Sequence, residues 1–275
     1  MPGSASVVIP ALNEAHHLHE LLPEITQQTL RPLEVIVADA GSTDGTREVA
    51  EAYGARVVAG GRPATGRNSG ARAASGDWLC FIDADTRLPE RTTLEWAIAE
   101  AERQRVQAVV ADYRPYYREG DLGFCWYPVR VYDRVMLSIV SHSQRVWLKR
   151  GFPFAQAVFL LTRRRTFLDL GGFDERTEPF EDSEYVLRVH RGCTPAAGCR
   201  SAVGSMPRGF HVWVSTRRYD ALGRLRFPIS MGIRGGILRF LLGREMPDHS
   251  YWELNEQGRY RERHTSGESP ARRRT

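Results

Sequence analysis

Over residues 5–112, short β-branched runs alternate with longer stretches of helical periodicity. Ala5-Ser6-Val7-Val8-Ile9 reads as a buried strand. Beyond Pro10, Leu18, Leu21, Leu22 and Ile25 recur at helical spacing, with His16, His17, Glu20 and Glu24 on the other face. Residues 33–38 repeat the strand signal, and Val49, Ala50 and Tyr53 predict a helix ending at Gly54, a residue suited to a left-handed cap. A third strand over 56–59, a short helix over 68–74, a fourth strand over 78–82, a helix over 94–104 and a fifth strand over 106–111 complete the series. Strands separated in this way by helical segments imply right-handed βαβ crossovers and a mostly parallel sheet. Ligands of such sheets bind outside the carboxyl ends of the strands, so the polar residues just after each strand carry the information.

After the first strand come Pro10, Asn13 and Glu14; after the second, the run Asp39 to Thr46; after the fourth, Asp83-Ala84-Asp85. Carboxylates thus gather at one sheet edge. A dinucleotide fold would place GxGxxG after its first strand, and here that turn is Pro-Ala-Leu-Asn-Glu; a P-loop is missing as well. Taken alone, Asp39 to Thr46 also suits an ordinary helix-capping turn. Asp83 and Asp85 repel each other unless solvated or bridged by a cation. A hard divalent ion, Mg²⁺ or Mn²⁺, resolves that conflict while keeping positions for phosphate oxygens and water.

Composition narrows the classes further. The 275 residues carry a net charge of +5 and are 42% hydrophobic, which suits one globular domain, or one with an appendage, and excludes a disordered or collagen-like chain. The basic excess is nearly all Arg, Lys149 being the single lysine, and no nucleic-acid motif accompanies it. Cys80, Cys125, Cys193 and Cys199 lack CxxC pairing, so neither a disulfide framework nor a zinc site is expected. The first apolar run stops at Pro10, and no window reaches the ~18 apolar residues that span a bilayer. A cytoplasmic protein follows, with peripheral contact at the inner face of the membrane left open.

Beyond residue 112 the pattern changes. Tyr113, Tyr116, Tyr117, Phe124, Trp126, Tyr127 and Tyr132 are interleaved with Arg114, Arg118, Arg130 and Arg134, suited to stacking on sugars or bases or to packing against the sheet. Residues 156–162 read as a strand leading into a helix that ends at Gly171. Residues 222–244 mix apolar side chains with Arg224, Arg226, Arg234, Arg239 and Arg244, which suits either an interfacial helix on anionic lipid or one packed on its own domain. From residue 266 the tail reads as disordered.

Taken together, the segments Val7 to Glu14, Asp39 to Thr46, Gly66 to Asp77 and Asp83-Ala84-Asp85, followed by Gly171-Gly172-Phe173-Asp174-Glu175 and Glu181-Asp182, resemble the inverting family 2 glycosyltransferases. The resemblance implies the GT-A fold: a Rossmann-like α/β/α sandwich on a mixed, mostly parallel central sheet. It implies a glycosyltransferase domain over 1–220, divided into a donor half (1–112) and an acceptor half (113–220), with an amphipathic extension over 221–265 and the tail over 266–275. It implies a nucleotide sugar donor, UDP-linked as first expectation, a divalent cation, and a saccharide or lipid-linked acceptor. By the same resemblance Pro10, Asn13, Glu14, Asp39, Asp44, Arg67, Asp83 and Ala84 line the donor, and Asp85, Asp83 and His211 hold the metal. Arg217 and Arg218 neutralise the diphosphate, and Asp182, beside Glu181, is the general base. The rival readings are nucleotidyl transfer to a sugar phosphate and a catalytically silent binding module on the same scaffold.

Overall fold

The computed structural model describes residues 3–118, 126–149, 158–177, 180–192, 203–207 and 209–225. Phe124, Cys125, Cys193, Cys199, the start of the strand expected from 156, residues 226–244 of the amphipathic segment and the tail lie outside the described residues. The elements run β1 (Ala5–Ala11), α1 (Ala15–Thr26), β2 (Glu34–Asp39), α2 (Thr46–Ala52), β3 (Arg56–Ala59), α3 (Pro63–Ala73), β4 (Trp78–Ile82), β5 (Thr86–Arg87) and α4 (Thr93–Gln104). They continue through β6 (Ala108–Val110), β7 (Asp112–Tyr116), α5 (Tyr127–Lys149), β8 (Phe159–Arg163), α6 (Arg164–Asp169), α7 (Glu181–Gly192), β9 (Val203–Ser205), β10 (His211–Ser215) and α8 (Arg217–Leu222).

Among the described residues the main sheet has seven strands in the order β3-β2-β1-β4-β8-β6-β9. β8 runs antiparallel to β4 and β6, and every other pair is parallel. A second sheet, β5-β10-β7, stands apart from it. All seven residues of β1 are buried because both faces of the sheet are covered. Val7 and Ile9 point to the layer holding Leu18, Leu21, Leu22 and Ile25 of α1; Val8 points to the layer of Ala64, Ala71, Phe167 and Tyr185. Full burial of each of those α1 side chains contributes about 1.5–3 kcal/mol. On the other side α3 lies so close to β1 that a Cβ at Gly70 would overlap the Val8 side chain.

The order 2-1-4 makes the gap between β1 and β4 the switch point of the sheet. The ladder between them ends at Val8 and Phe81, whereas β1 continues beside β2 as far as Ala11 and Asp39. Pro10 falls past the last rung to β4, and the two strand ends diverge there into a crevice.

Three elements differ from their sequence reading. The expected 106–111 strand is confined to β6 of the main sheet, and β7, which directly follows it and was not expected, joins the small sheet. The helix read from Asn68 begins at Pro63, whose fixed φ and missing N–H suit a first helical turn. The helix α5 is not legible in the pattern, because its buried face carries Asp133, Ser141 and Gln144 beside Val129 and Leu137. Val131, Val135 and Ile139 face outward instead, so the apolar periodicity is blurred.

Candidate active site

The loops after β1 and β2 are stitched together before any ligand is considered. Asn13 stands at φ 55°, a left-handed conformation that Asn tolerates. Its N–H donates to Ser42 Oγ at 2.8 Å, and its Oδ1 accepts from the Thr43 N–H at 2.9 Å. The Glu14 N–H donates to Thr46 Oγ1 at 2.9 Å, and the Ala15 N–H donates to Asp44 Oδ2 at 3.1 Å. The amides that open α1 would otherwise lack partners; the β2 loop supplies them. Asp44, expected at the nucleotide, is therefore a staple between loops. Asp39 is buried at the end of β2, where its carboxylate accepts from the amides of Gly41 and Ser42 at 3.2–3.3 Å.

Two arginines tie the other strand ends together. From α3, the buried Arg67 reaches Asp83 Oδ1 and Glu181 Oε1, each at 2.6 Å. Arg217, at the start of α8, reaches Asp85 Oδ2 at 2.8 Å and spans both oxygens of Glu14. Arg218 Nη2 lies 3.7 Å from Asp83 Oδ2, and His17 Nδ1 lies 2.7 Å from Glu14. Glu14, Arg67, Asp83, Asp85, Glu181, Arg217 and Arg218, all read as site residues from the sequence, thus form one connected cluster at the crevice. Ala84 lies between the two aspartates with its side chain in the core.

The loop leading to Glu181 is held by residues to which the sequence reading assigned no role. Asn68 Oδ1 accepts from the Phe173 N–H, and Asn68 Nδ2 donates to Phe173 O and Glu175 Oε1, all at 2.9 Å. Arg188 of α7 donates to the carbonyls of Leu170 and Gly172. Gly172 stands at φ 76°, and a Cβ there would come within 2.6 Å of Asn68 Oδ1, so this turn needs glycine. These contacts fix the turn from Leu170 to Glu175, and Glu181 and Asp182 stand in the first turn of α7. The one signal that could have found Asn68 is its place inside the Gly66 to Asp77 segment that carries the family resemblance.

His211 is not brought to this cluster. It opens β10 opposite Asp112, while the other end of that strand, Ser215, donates its N–H to the Asp85 carbonyl at 3.3 Å. Four residues of extended chain separate the two ends by roughly 13 Å. The ring Nδ1 sits 2.9 Å from the Gly209 carbonyl. The expectation of a metal ligand at His211 is therefore corrected: strand direction carries Arg217, rather than the histidine, to Asp85.

Electrostatics hold Asp85 and Glu14 in their ionised forms. Burial alone would raise the Asp85 pKa, but Arg217, Arg218 and His17 outweigh it and hold the group at about 2. The same opposition, with Arg217 and His17 prevailing over burial, lowers the Glu14 pKa. Burial opposes the charge on Arg67, yet Asp83, Glu181 and Asp182 raise its pKa above the usual arginine value. A depressed carboxylate pKa gives stability that is complete above the unfolded value and lost as pH falls through the folded one. Asp85 therefore contributes to an acid unfolding limb between about pH 4 and pH 2. Denaturant titrations across that range will show a shallower limb for Asp85→Asn; an unchanged slope would remove the assignment.

The donor set fits a hard divalent cation. Asp83 and Asp85 flank Ala84 in a buried turn, where Arg67 and Arg217 each hold one carboxylate oxygen in place of a cation. Among the described residues no group of three or more His, Cys, Asp or Glu side chains could hold a metal unaided. Two protein carboxylates, with the remaining positions left to diphosphate and water, is the arrangement Mg²⁺ and Mn²⁺ commonly accept.

Residues 6–171 match the family described as glycosyl transferase family 2. The chain belongs to that family. This glycosyltransferase is 30% identical over 235 residues to the PGL/p-HBAD biosynthesis glycosyltransferase of Mycobacterium bovis, covering 80% of this chain and 78% of that one. It is 26% identical over 197 residues to the glycosyltransferase GlyG of Streptococcus pneumoniae, covering 67% of this chain and spanning 64% of GlyG. In fold it is similar to the mannosyltransferase PcManGT of Pyrobaculum calidifontis, solved with GDP-Man and Mn²⁺, at TM-score 0.56 and 21% identity, covering 94% and 70% of the two chains. Glucosyl-3-phosphoglycerate synthase of Mycobacterium tuberculosis, solved with Mn²⁺, UDP and glucosyl-3-phosphoglycerate, is similar at TM-score 0.51 and 23% identity, covering 82% and 76%. The glycosyltransferase thus has the α/β architecture expected of it, the GT-A fold. The family match stops at residue 171, before α7.

Proposed function

We propose that this chain transfers a sugar from a UDP-linked donor to a hydroxyl of a saccharide or lipid-linked acceptor, with inversion at the anomeric carbon. The observation that supports this reading is the Arg67 bridge, which joins Asp83 of the strand-end turn to Glu181, the neighbour of Asp182. In the proposed reaction the acceptor oxygen attacks from the face opposite the leaving nucleoside diphosphate, and Asp182 takes its proton. Asp85, with Asp83, would hold the divalent cation, which when bound supplies positive charge to the diphosphate. Arg217 and Arg218 add charge from the protein itself. Pro10, Asn13, Glu14 and Asp39 border the nucleotide, Asp39 facing the base. Support for UDP and Mn²⁺ comes from the synthase described above, and the mycobacterial relative's place in PGL/p-HBAD biosynthesis supports an envelope acceptor.

A thermal-shift series with UDP, GDP and their sugar conjugates, each with and without Mn²⁺, tests the reading. UDP at 100-fold excess over its dissociation constant is expected to stabilise the chain by about 2.7 kcal/mol in the presence of Mn²⁺. In Asp85→Ala the metal-dependent part is expected to vanish. Stabilisation by GDP alone would reassign the donor, as the GDP-Man complex of PcManGT illustrates for the same fold. The absence of any metal-dependent shift would overturn the donor site.

A further inference from the structure

The helix α5 turns an apolar face outward. Among the described residues, Tyr127, Val131, Val135 and Ile139 are 74%, 44%, 51% and 55% exposed, and they recur every fourth residue along about 18 Å of helix. Such a stripe on a water-facing surface calls for a partner. Its charge identifies the kind. Between residues 126 and 149 the only acidic residue is Asp133. That residue is on the inward face, 1% exposed and 3.0 Å from Arg224. Arg130 and Arg134 are exposed beside the stripe. The outward face of this helix therefore combines apolar side chains with positive charge and no negative charge.

The orientation of α5 relates this face to the active site. Its later half packs at the start of β7, where Ser141 accepts from the Tyr113 N–H at 2.9 Å. Its first turns lie at the other end of β7, with the Arg130 guanidinium 5.3 Å from the Tyr117 ring centroid. There the Tyr132 hydroxyl donates to the Arg224 carbonyl at 2.6 Å, just after the helix α8 that begins with Arg217. The aromatic end of the stripe thus lies toward the carboxylate cluster.

We infer that the outward face of α5 docks this protein on an anionic lipid surface, with Tyr127, Val131, Val135 and Ile139 entering the interface and Arg130 and Arg134 meeting lipid phosphates. An apolar stripe bordered by arginine is the composition of interfacial helices, and a tyrosine at one end suits the headgroup level. The inference deepens the reading of a lipid-linked acceptor, on which it rests: docking here holds the crevice close to the bilayer. It does not require turnover, so vesicle binding and UDP binding succeed or fail separately.

Co-sedimentation of the full chain with vesicles of phosphatidylcholine alone, or mixed with phosphatidylglycerol, tests it. Binding is expected only to the mixed vesicles. Arg130→Gln with Arg134→Gln is expected to weaken it roughly 25-fold, about five-fold for each charge near the surface. Val135→Asp with Ile139→Asp is expected to abolish it while leaving the UDP and Mn²⁺ thermal shift unchanged. Should the aspartate pair fail to fold by circular dichroism, the glutamine pair decides the matter. Undiminished sedimentation of the folded variants would overturn the inference by placing lipid contact elsewhere in the chain. So would light scattering that shows a dimer dissolved by the aspartate pair, which would make the face a contact between copies.

Discussion

Asp182→Asn is expected to lower sugar transfer by about 10²- to 10⁴-fold while leaving stabilisation by UDP and Mn²⁺ unchanged. The substitution keeps the shape of the side chain but removes its charge and its capacity to accept the acceptor proton. Its neighbour has a different task. Glu181 is buried and tied to Arg67 at 2.6 Å, so its carboxylate is engaged by the guanidinium rather than offered to an acceptor. Asp182 lies in the same first turn of α7 but is only half-buried, as the proposed base must be to meet an acceptor. Single-turnover release of UDP, measured with any acceptor that the unaltered chain uses, separates the two roles. Glu181→Gln is expected to lose stability first, whereas Asp182→Asn loses turnover with stability retained. Full turnover in Asp182→Asn would exclude this residue as the base.

Arg67→Met should destabilise the fold by about 3–5 kcal/mol, the usual consequence of removing one partner from a buried ion pair. Methionine fills much of the space but leaves Asp83 and Glu181 facing each other without the cation between them. Both carboxylates are then buried with their main countercharge gone, and each must take up a proton or move toward water. Urea unfolding at neutral pH gives the loss directly. Adding Glu181→Gln to Arg67→Met is expected to restore part of it, because one of the stranded charges is then absent. The coupling in that double-mutant cycle measures the pair itself. A loss below about 1 kcal/mol, the range of exposed pairs, would show that the bridge does not join the two halves of the site.

The edge of the crevice was legible because its signals are local. β1, β2 and β4 are continuous apolar runs, and the residues that follow each run belong to the crevice by the rule that ligands meet parallel strands at their carboxyl ends. Asp83 and Asp85 could be read as an acidic turn from their spacing alone, although which arginine pairs with each could not. Arg67 and Glu181 are 114 residues apart, and Arg217 and Glu14 are 203 apart. No periodicity connects such positions. Asn13 and Asp44 show the opposite limit: their residue types suit a nucleotide pocket as well as a turn, and only the contacts reveal them fastening one loop to another.

The helix α5 and His211 were decided by packing. A helix whose inner face meets polar groups of β7 and Arg224 carries no clear apolar stripe on that inner face, so Asp133, Ser141 and Gln144 hid it. His211 opens the strand β10, but a strand has two ends, and the sequence does not say which one is carried to the site. Pairing with β5 and β7 makes that choice. Sequence by itself determined the α/β class, the family motifs and the acidic turn, since burial periodicity and turn chemistry act over a few residues. Only the tertiary structure decided which arginines neutralise that turn and which face of α5 is turned outward, because both depend on contacts between segments distant in the chain.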